Sequence, residues 1–141
     1  MIRSYKPEDI EPLLDVWYRA SKVAHPFLTD DFLELERAQI QYLYIDQTET
    51  WIYEVENKLI GFVSMVEKDV AALFVDPLEH RKGIGHQLLN HVFQTREFLT
   101  VDVFKENEMA VKFYYKYGFK LVKEKMHEET GHLLFEMVLN K

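Results

Sequence analysis

His80-Arg81-Lys82-Gly83-Ile84-Gly85 is the stretch that most limits how this chain can fold. An apolar run, Ala71 to Val75, leads into it, and Ile84, Leu88, Leu89 and Val92 after it share one helical face. The order is therefore strand, basic glycine loop, helix. Two glycines let the backbone approach a ligand closely, and the first-turn N–H groups of the helix have no intrahelical partners and lie at its positive end. Arg81 and Lys82, with His86 beside them, add charge to this cradle, so the expected guest carries phosphates. Taken alone, so short a G-x-G also fits an ordinary glycine loop with solvated basic residues. Two known phosphate motifs do not apply. A P-loop needs four residues between its glycines and then Lys-Ser/Thr, and a dinucleotide fingerprint needs a third glycine where Leu88 stands.

A second constellation runs from Asn107 to Phe119. Asn107 is a good N-cap, Ala110, Phe113 and Tyr114 recur at helical spacing, and Gly118 is placed to end the helix. Asn107 and Tyr114, seven apart, lie on one face. A capping Asn and an aromatic core stripe would account for these residues individually.

Together, His80-x-x-Gly83-x-Gly85 after Leu73-Phe74-Val75, then Asn107-x-x-Ala110-x-x-Phe113-Tyr114-x-x-x-Gly118-Phe119, resemble the acyl-CoA-binding core of the GNAT family of N-acetyltransferases. The resemblance runs from Ile2-Arg3 to the final hairpin. It is strongest to small single-domain bacterial members with a His-x-Phe turn like His25-Pro26-Phe27. One departure is His80, where the family usually has Gln or Arg, which leaves more of the phosphate electrostatics to Arg81 and Lys82. The resemblance implies acetyl-CoA as co-substrate, held by Leu73, Phe74, Val75, His80, Arg81, Lys82, Gly83, Ile84, Gly85, His86, Asn107 and Tyr114. Transfer from such a thioester needs no metal.

Composition agrees with one enzyme domain. The 141 residues, 48% hydrophobic and 14% aromatic, suffice for a substantial core. No apolar stretch could span a bilayer and no signal-peptide pattern opens the chain, so the expected location is the cytoplasm, without a membrane partner. The absence of cysteine fits a reducing compartment and removes a thiolate nucleophile. A net charge of −7 disfavours nucleic acid, since the one basic cluster belongs to the loop. An acidic surface would also suit a cationic acceptor, although solubility alone is the better account of it. The six His residues form no H-E-x-x-H pattern, and His86 and His91 are five apart, a poor spacing for metal binding on one helical face.

The chain reads as a strand at Ile2 to Tyr5, a helix opened by Pro7, and a second helix from about Asp31 to Ile45. A hairpin follows, Trp51 to Val55 and Leu59 to Val66, then a strand at Asp69 to Val75, the loop and a third helix. Phe98 to Val103 is a strand, Asn107 to Tyr117 a helix, and Leu121 to Lys125 with His132 to Leu139 a closing hairpin turned at Thr130-Gly131. The expected fold class is α/β: a mixed, mostly antiparallel sheet of about seven strands flanked by about four helices, as in the GNAT fold.

Moving an acetyl group from a thioester to an amine needs a base, because a lysine amine has an unperturbed pKa of about 10.4, and a proton for the leaving thiolate. With no cysteine to carry the acetyl group, direct attack in a ternary complex is the economical route. Tyr114, with a reference pKa of about 10, is the candidate acid, and the GNAT pattern has Tyr at that place. Backbone N–H groups of Phe74 and Val75 are the candidate oxyanion donors, because GNAT sheets splay at this strand. Asp102, Asp69 and His25 are candidates for the base, or water relays the proton. The expected activity is acetyl-CoA-dependent N-acetylation of a protein amine, either lysine or N-terminus, by a monomer or homodimer. The alternatives are a small-molecule amine acetyltransferase and a non-catalytic acyl-CoA-binding domain.

Overall fold

A computed structural model describes residues 1–141. Seven strands form one mixed sheet in the order β1-β2-β3-β4-β5-β7-β6: β1 (Ile2–Ser4), β2 (Glu49–Val55), β3 (Lys58–Val66), β4 (Asp69–Val75), β5 (Phe98–Phe104), β6 (Lys120–Met126) and β7 (Leu133–Asn140). Only β4 and β5 run parallel; every other pairing is antiparallel. Four α-helices flank it, α1 (Ile10–Ala24), α2 (Asp30–Gln39), α3 (Ile84–Phe93) and α4 (Glu108–Tyr117), so the expected architecture is the one found. No helix is long and apolar enough to cross a membrane.

The inner strand β3 is buried from Leu59 to Met65, as the apolar residues on both its faces require of a strand covered on both sides, and its one polar residue there, Ser64, bonds Thr50 Oγ1 at 2.7 Å. On one face, α1 and α2 pack Leu13, Leu14, Trp17 and Leu33 against Ile52 and Phe62. On the other, α3 and α4 bring Leu88, Leu89, Tyr114 and the following Phe119 against Val63, Leu99, Val101 and Met137. Each large apolar side chain so buried contributes about 1.5–3 kcal/mol.

The second helix differs from its expected form. Regular α2 stops at Gln39, and the chain continues through a π-helical turn, Ile40–Tyr44, and a 3₁₀ turn, Ile45–Gln47. The wider turn sets Ile40, Tyr44 and Ile45 in the wall of a large cavity while Tyr42 stays exposed. An apolar pattern of one turn does not distinguish the two helical periods, and such π turns recur at functional sites.

Candidate active site

β4 and β5 pair only at Asp69 with Thr100 and Val70 with Val101, then diverge. Beyond those residues a gap opens in the sheet. The far edge of β4 is paired with β3, and Asp76 N–H bonds Ile60 O at 2.8 Å. Alternation along that ladder commits the Phe74 N–H to Phe62 and turns the N–H groups of Leu73 and Val75 toward the gap. Of the two expected oxyanion donors, Val75 is thus aimed into the opening and Phe74 is not, while the Leu73 N–H also faces it. The Val75 carbonyl is already held by His80 Nε2 at 3.0 Å. A carbonyl only accepts, so Nε2 carries the hydrogen, and the ring pins the loop to the end of β4.

The loop turns through two left-handed residues, Arg81 (φ 67) and Gly83 (φ 78). A Cβ on Gly83 would meet nothing within 4 Å, whereas one on Gly85 would lie 3.3 Å from the Phe113 ring. Gly83 is therefore required by backbone conformation beside open space, and Gly85 by the close approach of α3 and α4. Ile84 is buried in the core. Lys82 Nζ lies 2.5 Å from Glu79, so its charge is balanced within the loop, while Arg81 makes no ion pair and is the loop's uncompensated cation. His86 packs against Tyr117, ring centroids 4.9 Å apart.

A cavity of about 510 Å³ occupies the gap and extends under α1 and α2; Leu73, Phe74, His25, Asp102, Asn107 and Tyr114 all line it. Tyr114 is 5% exposed. Its hydroxyl has no partner in the protein, yet no buried side-chain oxygen is both sealed and unpartnered, so this hydroxyl opens onto the cavity. Burial, with the charge of Asp69 adding to it, raises its pKa well above the usual phenol value.

Asn107 Oδ1 accepts from Ala110 N–H at 3.2 Å, capping α4 as expected. Its amide nitrogen must then face His25, and it donates to His25 Nε2 at 3.2 Å. That nitrogen, the only acceptor atom of a neutral imidazole, is already occupied. Burial lowers the His25 pKa to about 4, so the ring stays neutral at pH 7 and any activity limb it governs lies far below 6.5. His25 sits among Phe27, Phe74 and Phe104, at 5.6, 6.5 and 5.1 Å between centroids. Asp102 lies 3.0 Å from Lys125, and Asp69 accepts from Thr100 Oγ1 at 2.8 Å. All three expected bases are thus engaged.

The sign of the His25 effect on stability follows from its shift. The unfolded chain binds the proton near 6.5 and the folded one near 4, so falling pH penalises the fold between those values. The stability difference between wild type and His25→Gln should grow by on the order of 2–3 kcal/mol from pH 4 to pH 6.5, measured by urea unfolding. A constant difference would mean that the ring is solvated.

Residues 4–141 match the family described as Acetyltransferase (GNAT) domain. The chain belongs to the GNAT family. It is 31% identical to the peptidyl-lysine N-acetyltransferase YiaC of Escherichia coli K12, over 92% of this chain and 90% of YiaC. The peptidyl-lysine N-acetyltransferase YjaB of the same organism is 29% identical over 92% and 88%. The solution structure of apo YjaB matches at TM-score 0.87 and 26% identity, over 98% of this chain and 95% of that one. A PaiA N-acetyltransferase from Thermoplasma acidophilum, in a crystal structure with coenzyme A, shares the fold at TM-score 0.85 and 20% identity, over 100% and 98%. As a GNAT protein the chain is an acetyl-CoA-dependent N-acetyltransferase.

Sequence reasoning missed two parts of this GNAT site. Glu36 and Glu129 both line the cavity. Glu36 falls on the apolar stripe of its helix, three residues after Leu33 and four before Ile40, which is where a signal lay. The other is Asp76, 1% exposed, which joins the end of β4 to α1 through a bidentate pair with Arg19, both contacts 2.8 Å. A partner 57 residues away leaves no local pattern. No group of three or more His, Cys, Asp or Glu could hold a metal ion.

Proposed function

We propose that the chain acetylates a peptide amine, a lysine side chain or an N-terminus, by direct attack of the amine while acetyl-CoA is bound. The observation that carries this reading is the partnerless Tyr114 hydroxyl opening into the gap that also receives the Leu73 and Val75 N–H groups. The residues present fit the co-substrate: a free strand edge suits an amide-bearing arm, and the loop offers unpaired first-turn N–H groups, open space at Gly83 and the free charge of Arg81 to a pyrophosphate. Acetyl-CoA supplies the thioester. The Leu73 N–H, at the cavity that Tyr114 also lines, donates to the carbonyl oxygen as negative charge develops on it, the Val75 N–H two residues on pairs with the amide-bearing arm, and Tyr114 donates to the departing sulfur. His25 fixes Asn107, and through it the start of α4 that carries Tyr114. YiaC and YjaB, which match over most of this chain, are peptidyl-lysine acetyltransferases, and that favours a lysine acceptor.

The test is acetyl transfer to lysine peptides, N-terminal peptides and polyamines, followed by mass spectrometry, with calorimetry of acetyl-CoA on wild type and Gly83→Val. The variant forces a β-branched residue to φ 78 and fills the open space, so acetyl-CoA affinity should fall at least tenfold. Unchanged affinity would remove the loop from the binding site. Acetylation of polyamines but of no peptide would overturn the acceptor class.

A further inference from the structure

Glu36 lies on α2, half-buried in a cavity wall that is mostly apolar, and makes no hydrogen bond or ion pair. Such a carboxylate is costly unless something cationic arrives. We propose that Glu36, assisted by Glu129, receives the ammonium group of the acceptor and takes the proton that the amine must lose before it attacks. This rests on reading the cavity as the acceptor site. Two carboxylates alone would not identify a ligand site. The independent observation is the Tyr114 side chain, 5% exposed, whose unpartnered hydroxyl opens into the same cavity and lacks the group it would bond.

The other candidates are engaged: His25 by Asn107, Asp102 by Lys125 and Asp69 by Thr100, and Asp69 does not line the cavity. Around the cavity Glu36 faces Glu129 and His127 from the β6–β7 turn, Asp102 from β5, His25 after α1, Tyr44 from the π turn and Tyr114 from α4. Burial, and next the like charge of Glu129, raise the Glu36 carboxyl from 4.5 to about 7. That shift makes proton transfer to Glu36 roughly 300-fold more favourable than to an ordinary carboxylate. It also leaves enough of the ionised form at neutral pH to accept.

The protons balance. The ammonium gives one proton to Glu36, which later releases it to solvent. The neutral nitrogen forms its bond to the thioester carbon and the C–S bond breaks, with the sulfur taking the Tyr114 proton. The nitrogen's second proton, lost as the amide forms, returns through solvent to Tyr114. The sum is amide, free CoA and one proton released.

Glu36 accepts only when ionised, so kcat/KM should rise with pH through about 7. The experiment measures kcat/KM from pH 5.5 to 9 with saturating acetyl-CoA, using a lysine peptide, an N-terminal peptide and spermidine as acceptors. It compares wild type with Glu36→Gln and Glu129→Gln, and follows the Glu36 carboxyl carbon by NMR. Glu36→Gln should lose about 10²-fold and flatten the limb, and Glu129→Gln should move the limb and the NMR midpoint to lower pH. A Glu36→Gln enzyme within threefold of wild type, or a Glu36 carboxyl titrating at 4.5, would overturn the proposal. The Glu36→Gln loss seen with spermidine, and no turnover of either peptide, would sustain it while overturning the peptide reading. A wild type that acetylates none of the three would overturn both.

Discussion

Tyr114→Phe should lower kcat by about 10²- to 10⁴-fold while leaving the melting temperature within a degree or two. The two halves of this expectation have one cause. The phenol oxygen bonds nothing in the folded protein, so its removal strands no partner, and the ring keeps its edge-on contacts with Phe113 and Phe119, 5.3 and 5.1 Å between centroids. What disappears is the donor to the leaving sulfur. A thiol ionises near 8.5, below even an unperturbed phenol, and burial makes Tyr114 a weaker acid still. A free thiolate would therefore not strip its proton outright. Donation must accompany bond cleavage and the loss of the second nitrogen proton, a concerted step in which Tyr114 relays rather than spends a proton. For the same reason no falling limb should arise from Tyr114 up to pH 10. Stopped-assay kcat and a thermal melt, run on both proteins, decide the matter. Near-normal turnover in a folded variant would remove Tyr114 from the chemistry, and a lost fold would assign its hydroxyl to the core.

The features that sequence resolved are those whose physics is local. The Asn107 cap, the Gly118 stop and the strand-loop-helix unit at Gly83 each depend on residues within a few positions, and each forms where expected. The helix after His25 was legible only in part, because Ile40, Tyr44 and Ile45 suit an α turn and a π turn equally until tertiary packing chooses. At Gly85 sequence suggested room for a ligand, while the structure has the Phe113 ring there, a contact 28 residues away. Lys82 looked like a phosphate ligand, yet Glu79 three residues earlier was already a suitable partner. The base was the least legible part. His25, Asp102 and Asp69 have suitable chemistry as residue types, but what each can do depends on Asn107, Lys125 and Thr100, none adjacent in sequence.

Asp76→Asn should cost the second largest effect, roughly 2–4 kcal/mol of stability, and loosen acetyl-CoA binding although Asp76 does not line the cavity. The carboxylate accepts two hydrogen bonds from Arg19 and one from Leu78 N–H, at 3.0 Å. It thereby ties α1 to the residue that follows β4 and caps the turn Pro77–Glu79 leading to His80. The Arg19 side chain is 37% exposed and keeps Asp15 as a second partner, so the loss falls toward the lower end of the range for a sealed pair. Arg19, with the Leu78 N–H as a smaller cause, holds the carboxyl down at about 2 from 3.8, equivalent to roughly 2 kcal/mol. A depressed carboxylate stabilises the fold fully above its unfolded value and loses that contribution only as pH falls from 3.8 through 2. The stability difference between wild type and Asp76→Asn should therefore stay constant from pH 5 to 8, unlike that of His25→Gln, which changes up to about 6.5. A melting temperature lower by about 10 °C and an acetyl-CoA affinity weaker by about tenfold are the expected readings. Loss of stability with unchanged affinity would mean that the phosphate loop holds its shape through His80 and Val75 alone.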